Sequence, residues 1–299
     1  MKYICLFLSL MFFSFAADAQ TDNYEYRYNL LVSQFGPAGV GVETVLDNWE
    51  KADSLEPKVK IARFNYWLTK ARTEQVVKRP VNKYLGMKPL LSLKDTTGTD
   101  VYYFQESFYD DQMYGNAVRA LDKAIELAPN VLDYRFLKAN SYISYEKGSP
   151  DMALAYLKEL AVMSGHKWTY NGEEAGADFI PEAMQEYCYS FYNIGTEKAM
   201  EAFLELSEYM IALYPDIPDF QNNIGAYYLI GIKDSKKALK QYAKVLKKFP
   251  DDYTALKNCA IICRHNSDKK GESKYLQRLL SVAPDNEQPA IRARIQTIE

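Results

Sequence analysis

One spacing recurs along this chain and restricts its fold more than any single motif. Between Ser235 and Pro250, a small, an aromatic and an aliphatic residue fall at Ala238, Tyr242 and Val245, and Pro250 closes the stretch. The same offsets give Ala117, Leu121, Ala124 and Pro129, and also Val45, Trp49, Ala52 and Pro57. They recur at Ala153, Leu157, Leu160 and Gly165, and at Glu272, Leu276, Leu279 and Pro284, where a glutamate takes the small-residue place. Positions four and three apart share one face of a helix, and a proline just past the last turn stops it. Pro215, Pro250 and Pro284 lie 35 and 34 residues apart. A period of this length marks stacked helical units, none of which can bury its apolar face alone.

A second, less regular pattern precedes each of these stretches. Asn223-Ile224-Gly225 with Tyr228 is matched by Asn258-Cys259-Ala260 with Cys263, and by Tyr187-Cys188 with Phe191. Pro181 and Pro218 stand where a helix begins, a position proline favours. A small residue here lets two helices approach closely, and the larger residue three places on fills the gap.

Together these residues resemble tetratricopeptide repeats, helix pairs with Gly or Ala in the first helix, Ala and an aromatic in the second, and a closing Pro. The similarity is best over 181–284 and extends in weaker copies over most of the chain. The copy Ala199, Phe203, Leu206, Pro215 carries about one extra helical turn. The 218–250 copy has one extra residue between its helices, and the tryptophan usual early in the first helix is missing. The resemblance implies an all-α fold, a right-handed superhelical array of antiparallel helix pairs whose first helices line an inner groove. Carried over, the groove residues are Asp219, Asn222, Ala226 and Leu229 in one pair, and Thr254, Lys257, Ile261 and His265 in the next. Asn222 and Lys257 suit a peptide backbone or carboxylate, although the family's full carboxylate-clamp set is not present.

Helices are expected at 23–34, 42–54, 58–76, 110–128, 131–147, 150–164, 181–193, 196–214, 218–231, 235–249, 252–266 and 269–282. A charged capping helix follows at 288–298. The largest interruption runs from Lys78 to Glu106. Leu90–Leu93 and Val101–Phe104 flank a polar, glycine-containing turn there, which reads as a β-hairpin. The chain thus divides into a leader (1–19), N-terminal repeats (20–77), the insertion (78–109), the main repeats (110–284) and the cap (285–299).

The leader has Lys2, an apolar run from Ile4 to Phe15, and Ala17-Asp18-Ala19 before Gln20. That is the form of a signal peptide cleaved after Ala19, too short to span a bilayer comfortably. Cys5 near the start of the run is not placed for lipid attachment. The expectation is an exported chain, periplasmic or secreted and not a lipoprotein, with no integral membrane span. Removing one Lys and one Asp with the leader leaves the net charge at −3, without the basic excess that nucleic-acid binding requires. Cys188, Cys259 and Cys263 are too few and oddly numbered for a disulfide framework, so packing must hold the fold.

Little points to catalysis. Cys259, Cys263 and His265 invite a metal reading, but both cysteines fall in packing places of the repeat, where a free thiol acts as a small hydrophobe. The two histidines, His166 and His265, belong to no visible nucleophilic arrangement, and Glu173-Glu174 and Asp110-Asp111 are adjacent acids of the kind that solvate loops. No phosphate-binding glycine motif occurs. The expectation is a non-enzymatic scaffold or adaptor, without cofactor or metal, that binds a protein or peptide in the groove. The alternative is a glycan-binding accessory protein using exposed aromatics near the insertion. Alternation along the strand sets Tyr103 on the face opposite Tyr102 and Phe104.

Overall fold

The computed structural model describes residues 24–163 and 167–298. The leader at 1–19, the closing Gly165 and the loop position His166 lie outside the described residues. The fold is mostly helical, with thirteen helices and two small sheets among the described residues. In order, the helices before the first sheet are α1 (Tyr24–Phe35), α2 (Val42–Ala52) and α3 (Pro57–Ala71). The sheet consists of β1 (Arg72–Arg79), β2 (Leu91–Lys94) and β3 (Asp100–Tyr109). Helices α4 (Asp111–Leu127), α5 (Leu132–Glu146) and α6 (Asp151–Val162) follow, then a short β4 (Thr169–Tyr170) and β5 (Glu173–Glu174). The remainder is α7 (Phe179–Ile194), α8 (Glu197–Leu213), α9 (Pro218–Ala226), a π-helical turn (Tyr227–Gly231), α10 (Ser235–Lys248), α11 (Tyr253–His265), α12 (Lys269–Leu280) and α13 (Gln288–Ile298).

Nearly every position of the recurring spacing within the helices is buried. Ala117, Leu121, Ala124, Ala153, Leu157, Leu160, Ala238 and Val245 are fully enclosed, and Tyr242 nearly so; of the positions within the helices Ala52 is exposed, as are the closing Pro215, Pro250 and Pro284. Gly225 shows why its helix needs a small residue. A Cβ there would stand 2.5 Å from the Tyr242 ring, so the absence of a side chain on α9 is what seats the ring of α10. Each helix packs on its sequence neighbour from α1 to α13. Asp110, Thr196, Asp234, Asp252 and Asp268 accept backbone N–H bonds at the starts of α4, α8, α10, α11 and α12, which satisfies donors the helix itself cannot.

Glu272, in the small-residue place, is buried at 3% exposure. Arg294 of α13 answers it with two bonds, Nε to Oε1 at 2.7 Å and Nη2 to Oε2 at 2.9 Å. The terminal helix therefore completes the last core with a bidentate ion pair as well as with Ile291.

The insertion differs from the expected hairpin. It is a three-stranded antiparallel sheet in the order β1-β3-β2, and the helix expected to run to 76 ends at Ala71. Arg72, Glu74 and Gln75 are tolerable in a helix, but Thr73, Val76 and Val77 are β-branched and Pro80 follows. Full pairing along β3, from Arg72 opposite Tyr109 to Arg79 opposite Tyr102, decides the conformation. The polar loop before α7, for which no helix is expected, holds the two-residue antiparallel pair of β4 and β5.

The sheet interrupts one helix pair. α3 and α4 pack closely across it, with Phe64 beside Ala117 and Leu121 in a shared core. The Asp110 N–H donates to the Ala71 carbonyl at 2.9 Å, closing the base of the insertion. Among the described residues no helix is long and apolar enough to cross a membrane.

Candidate functional site

Two surfaces carry the residues singled out above. The first is the row on α9 and α11. Asn222 is only 4% exposed, and its Nδ2 donates to Asp252 Oδ1 at 2.9 Å. The same oxygen accepts the Ala255 N–H at 2.7 Å and so caps α11. Asn222 thus braces one helix pair against the next, and its own Oδ1 is buried without a hydrogen-bond partner. Asp219 is exposed at the surface, yet desolvation by its surroundings, followed by the like charge of Asp252, holds its carboxyl above the usual range.

Lys257 is half-buried. Its Nζ lies 2.5 Å from the Tyr253 hydroxyl and 3.1 Å from Glu287 Oε2. The Tyr253 bond, then the Glu287 pairing, raise its pKa. Ala226 and Leu229 are half-buried, whereas Thr254, Ile261 and His265 are exposed. Of the row, then, Asn222 is committed to Asp252 and Lys257 to Tyr253 and Glu287; besides Asp219 on α9, the exposed members are Thr254, Ile261 and His265, the open face of α11. Cys259 and Cys263 are buried, and burial pushes the Cys259 thiol up to about 12. Among the described residues no three His, Cys, Asp or Glu side chains gather as a metal site would need.

The second surface is the insertion. Phe104 is 1% exposed, while Tyr102 and Tyr103 are half-buried. Phe104 and Glu106 lie on one face of β3, against the 80–90 loop. Tyr84 packs edge-on to Phe104 with ring centroids 5.9 Å apart, and the Arg79 guanidinium sits 3.7 Å from the Tyr84 ring centroid. Arg79 Nε and Nη2 reach the two oxygens of Glu106 at 2.6 and 2.9 Å. These bonds hold the buried Glu106 carboxyl below the usual range. Beyond them the Lys147 ammonium lies 3.9 Å from the Phe108 ring centroid.

The 80–90 loop ends in a tight turn that the sequence reading passed over. Tyr84 and Met87 exchange both backbone bonds, and the two residues between have φ of +47° at Leu85 and +78° at Gly86. Two positive φ values make a type I′ turn, and leucine is strained in that region. The tip is wedged into place. A Cβ on Gly86 would meet the Asn193 carbonyl oxygen at 2.8 Å, and one on Gly148 would meet Leu85 Cδ2 at 3.2 Å. Leu85-Gly86 is therefore pinned between the α5–α6 and α7–α8 corners. Docking of this kind is what keeps a strained turn in one conformation.

On either side of the pinned turn lie two open clefts of ≈ 710 and ≈ 670 Å³, both lined by Leu85 and Ile194. The first carries Arg72, Glu74, Glu106 and Lys147. The second carries Lys83, Glu197, Glu201 and Lys233, and includes the π turn with Ile230. The extra residue of the 218–250 copy is absorbed in that turn, where the Ile232 N–H donates to the Tyr227 carbonyl five residues back. Leu-Gly at the centre of a tight loop, together with the one-residue excess, were the sequence signals for this region.

Trp168 is 9% exposed, with the Arg135 guanidinium 5.3 Å from its ring centroid, and Tyr170 packs among Phe136 and Phe179. Asp110 is spent on capping α4, and Glu173 and Glu174 are exposed in β5. No protein-family model matches this chain, and no curated protein sequence matches it.

Proposed function

We propose that this chain is a non-enzymatic adaptor, a tetratricopeptide-like array of antiparallel helix pairs with a right-handed superhelical path, that binds a protein or peptide segment. Burial of the recurring positions supports the repeat reading. The observation that carries the binding role is the open face of α11. Ile261 is 51% exposed there between Thr254 and His265, residues whose spacing aligns them along one side of the helix. An aliphatic anchor flanked by hydrogen-bonding side chains, beside a helix already braced on its other faces, suits an extended or helical peptide.

The leader reading makes this an exported protein, and a mature N-terminus at Gln20, read by mass spectrometry, would support that. The binding role is tested by crosslinking in the native source with the wild-type chain and with Ile261→Asp. Crosslinks that map to 254–265 and are lost in the variant support it. Undiminished capture by the variant, with crosslinks elsewhere, removes the α11 face from the mechanism.

A further inference from the structure

We propose that the free edge of β1 is a self-association strand, which pairs antiparallel with β1 of a second copy about a two-fold axis at Val76. β1 has eight residues and, among the described residues, is hydrogen-bonded on one side only, to β3. The opposite edge, β2, has four and is preceded by Pro89. A long edge strand offers a row of unpaired N–H and C=O groups to another chain.

Which groups point outward follows from the base of the sheet. The Ala71 carbonyl accepts from Asp110 N–H, so alternation turns Thr73, Gln75, Val77 and Arg79 toward β3 and directs the backbone of Glu74, Val76 and Lys78 to the open side. Their side chains share one face, and Val76 is 65% exposed on it. The Glu74 carboxylate is contacted by Arg72 and by Gln105 on that same face, one neighbour at each oxygen, which leaves acceptor capacity for a further donor.

An antiparallel partner must set outward-directed residues opposite one another. With Val76 opposite Val76, Glu74 faces Lys78 of the second copy, and Lys78 faces its Glu74. Shifting the pairing one step in one direction opposes Arg72 to Lys78; shifting it the other way opposes Glu74 to Pro80 and Lys78 to Val76. Only the central register joins opposite charges at both ends, and like charges directly opposed are unfavourable. On the other face Thr73 then meets Arg79 and Gln75 meets Val77, with no like-charge pair. Pro80, which lacks an N–H, ends the ladder where the register ends it. The result is a continuous six-stranded sheet across two copies, an isologous contact of the kind closed dimers use.

Sedimentation equilibrium over a concentration series, on wild type and three variants, tests this. Val76→Pro removes an outward N–H and leaves the bonds to β3 in place; it is expected to be monomeric with its helical circular dichroism retained. Glu74→Lys and Lys78→Glu each oppose like charges and are expected to be monomeric alone, yet to form a one-to-one dimer when mixed. That last readout stays decisive even where the proline variant folds poorly. A wild-type chain that remains monomeric overturns the proposal and leaves the edge to an extended segment of another protein. A dimer that survives Val76→Pro overturns it by placing the interface elsewhere, and failure of the charge-reversed pair to recombine overturns the register.

Discussion

The helix pairs and the inserted sheet are held by different means. Within the pairs, the recurring positions are enclosed and meet side chain to side chain, as Gly225 meets Tyr242. In the sheet, Val76, Leu91 and Leu93 are 65%, 50% and 47% exposed, and attachment rests on a few points: the Arg79–Glu106 fork, the Leu85-Gly86 wedge and the Tyr109–Tyr114–Tyr145 cluster, in which Tyr114 and Tyr145 stack at 4.0 Å. Dispersed apolar contact makes a region cooperative, whereas a few polar or steric pins leave one that can be released without unfolding the rest. The two regions share one device. Glu106 and Glu272 are each buried beneath a bidentate arginine, with side-chain exposures of 3% and 4%.

Four variants break or sharpen this contrast. The largest effect is expected from Gly225→Ala, which overpacks the α9–α10 contact by about 3 kcal/mol, read as a global fall in urea midpoint. Arg79→Ala leaves a buried carboxylate unpaired. Since its partner guanidinium is 30% exposed, the cost is set at about 2–3 kcal/mol, at or below the bottom of the range for broken buried pairs. Hydrogen exchange should show that loss confined to 72–109, whereas Arg294→Ala should loosen α12 and α13 alone. Gly86→Ala adds a Cβ against Asn193 at a positive φ and is expected to cost about 1–2 kcal/mol, seen as faster proteolysis at 80–90 with the same melting temperature.

The smallest effect is a pH dependence. Because Arg79 lowers the Glu106 pKa, the pairing contributes fully above the usual carboxylate value and is lost as pH falls through the lowered one. Arg79→Gln should flatten that acid limb of the stability profile. An unchanged limb would assign it to other carboxylates.

Much of the helical architecture was legible because its signal is periodic: the positions from Ala117 to Leu279 needed only counting. The sheet was half legible. Leu90–Leu93 and Val101–Phe104 are β-rich and flank a turn, but Arg72–Arg79 reads equally as the tail of α3, and only its partner on β3 resolves the choice. Pairing of α3 with α4 across forty residues is a tertiary fact that no local pattern encodes. The site was the least legible part. The family resemblance implies a groove side for Asn222 and Thr254 alike, yet it cannot say that Asn222 is consumed by Asp252 while Thr254 is left open. Nor does composition reveal that Glu272 has an arginine waiting 22 residues later.

The Asp110–Ala71 bond has a consequence for how such a chain can be altered. Because the polypeptide leaves the helix pair and rejoins it through a gap one hydrogen bond wide, the segment 72–109 is a cassette whose ends already meet. Replacing it with a short turn should yield an uninterrupted α3–α4 pair, and the same two anchor points could receive a different sheet without disturbing the helices on either side.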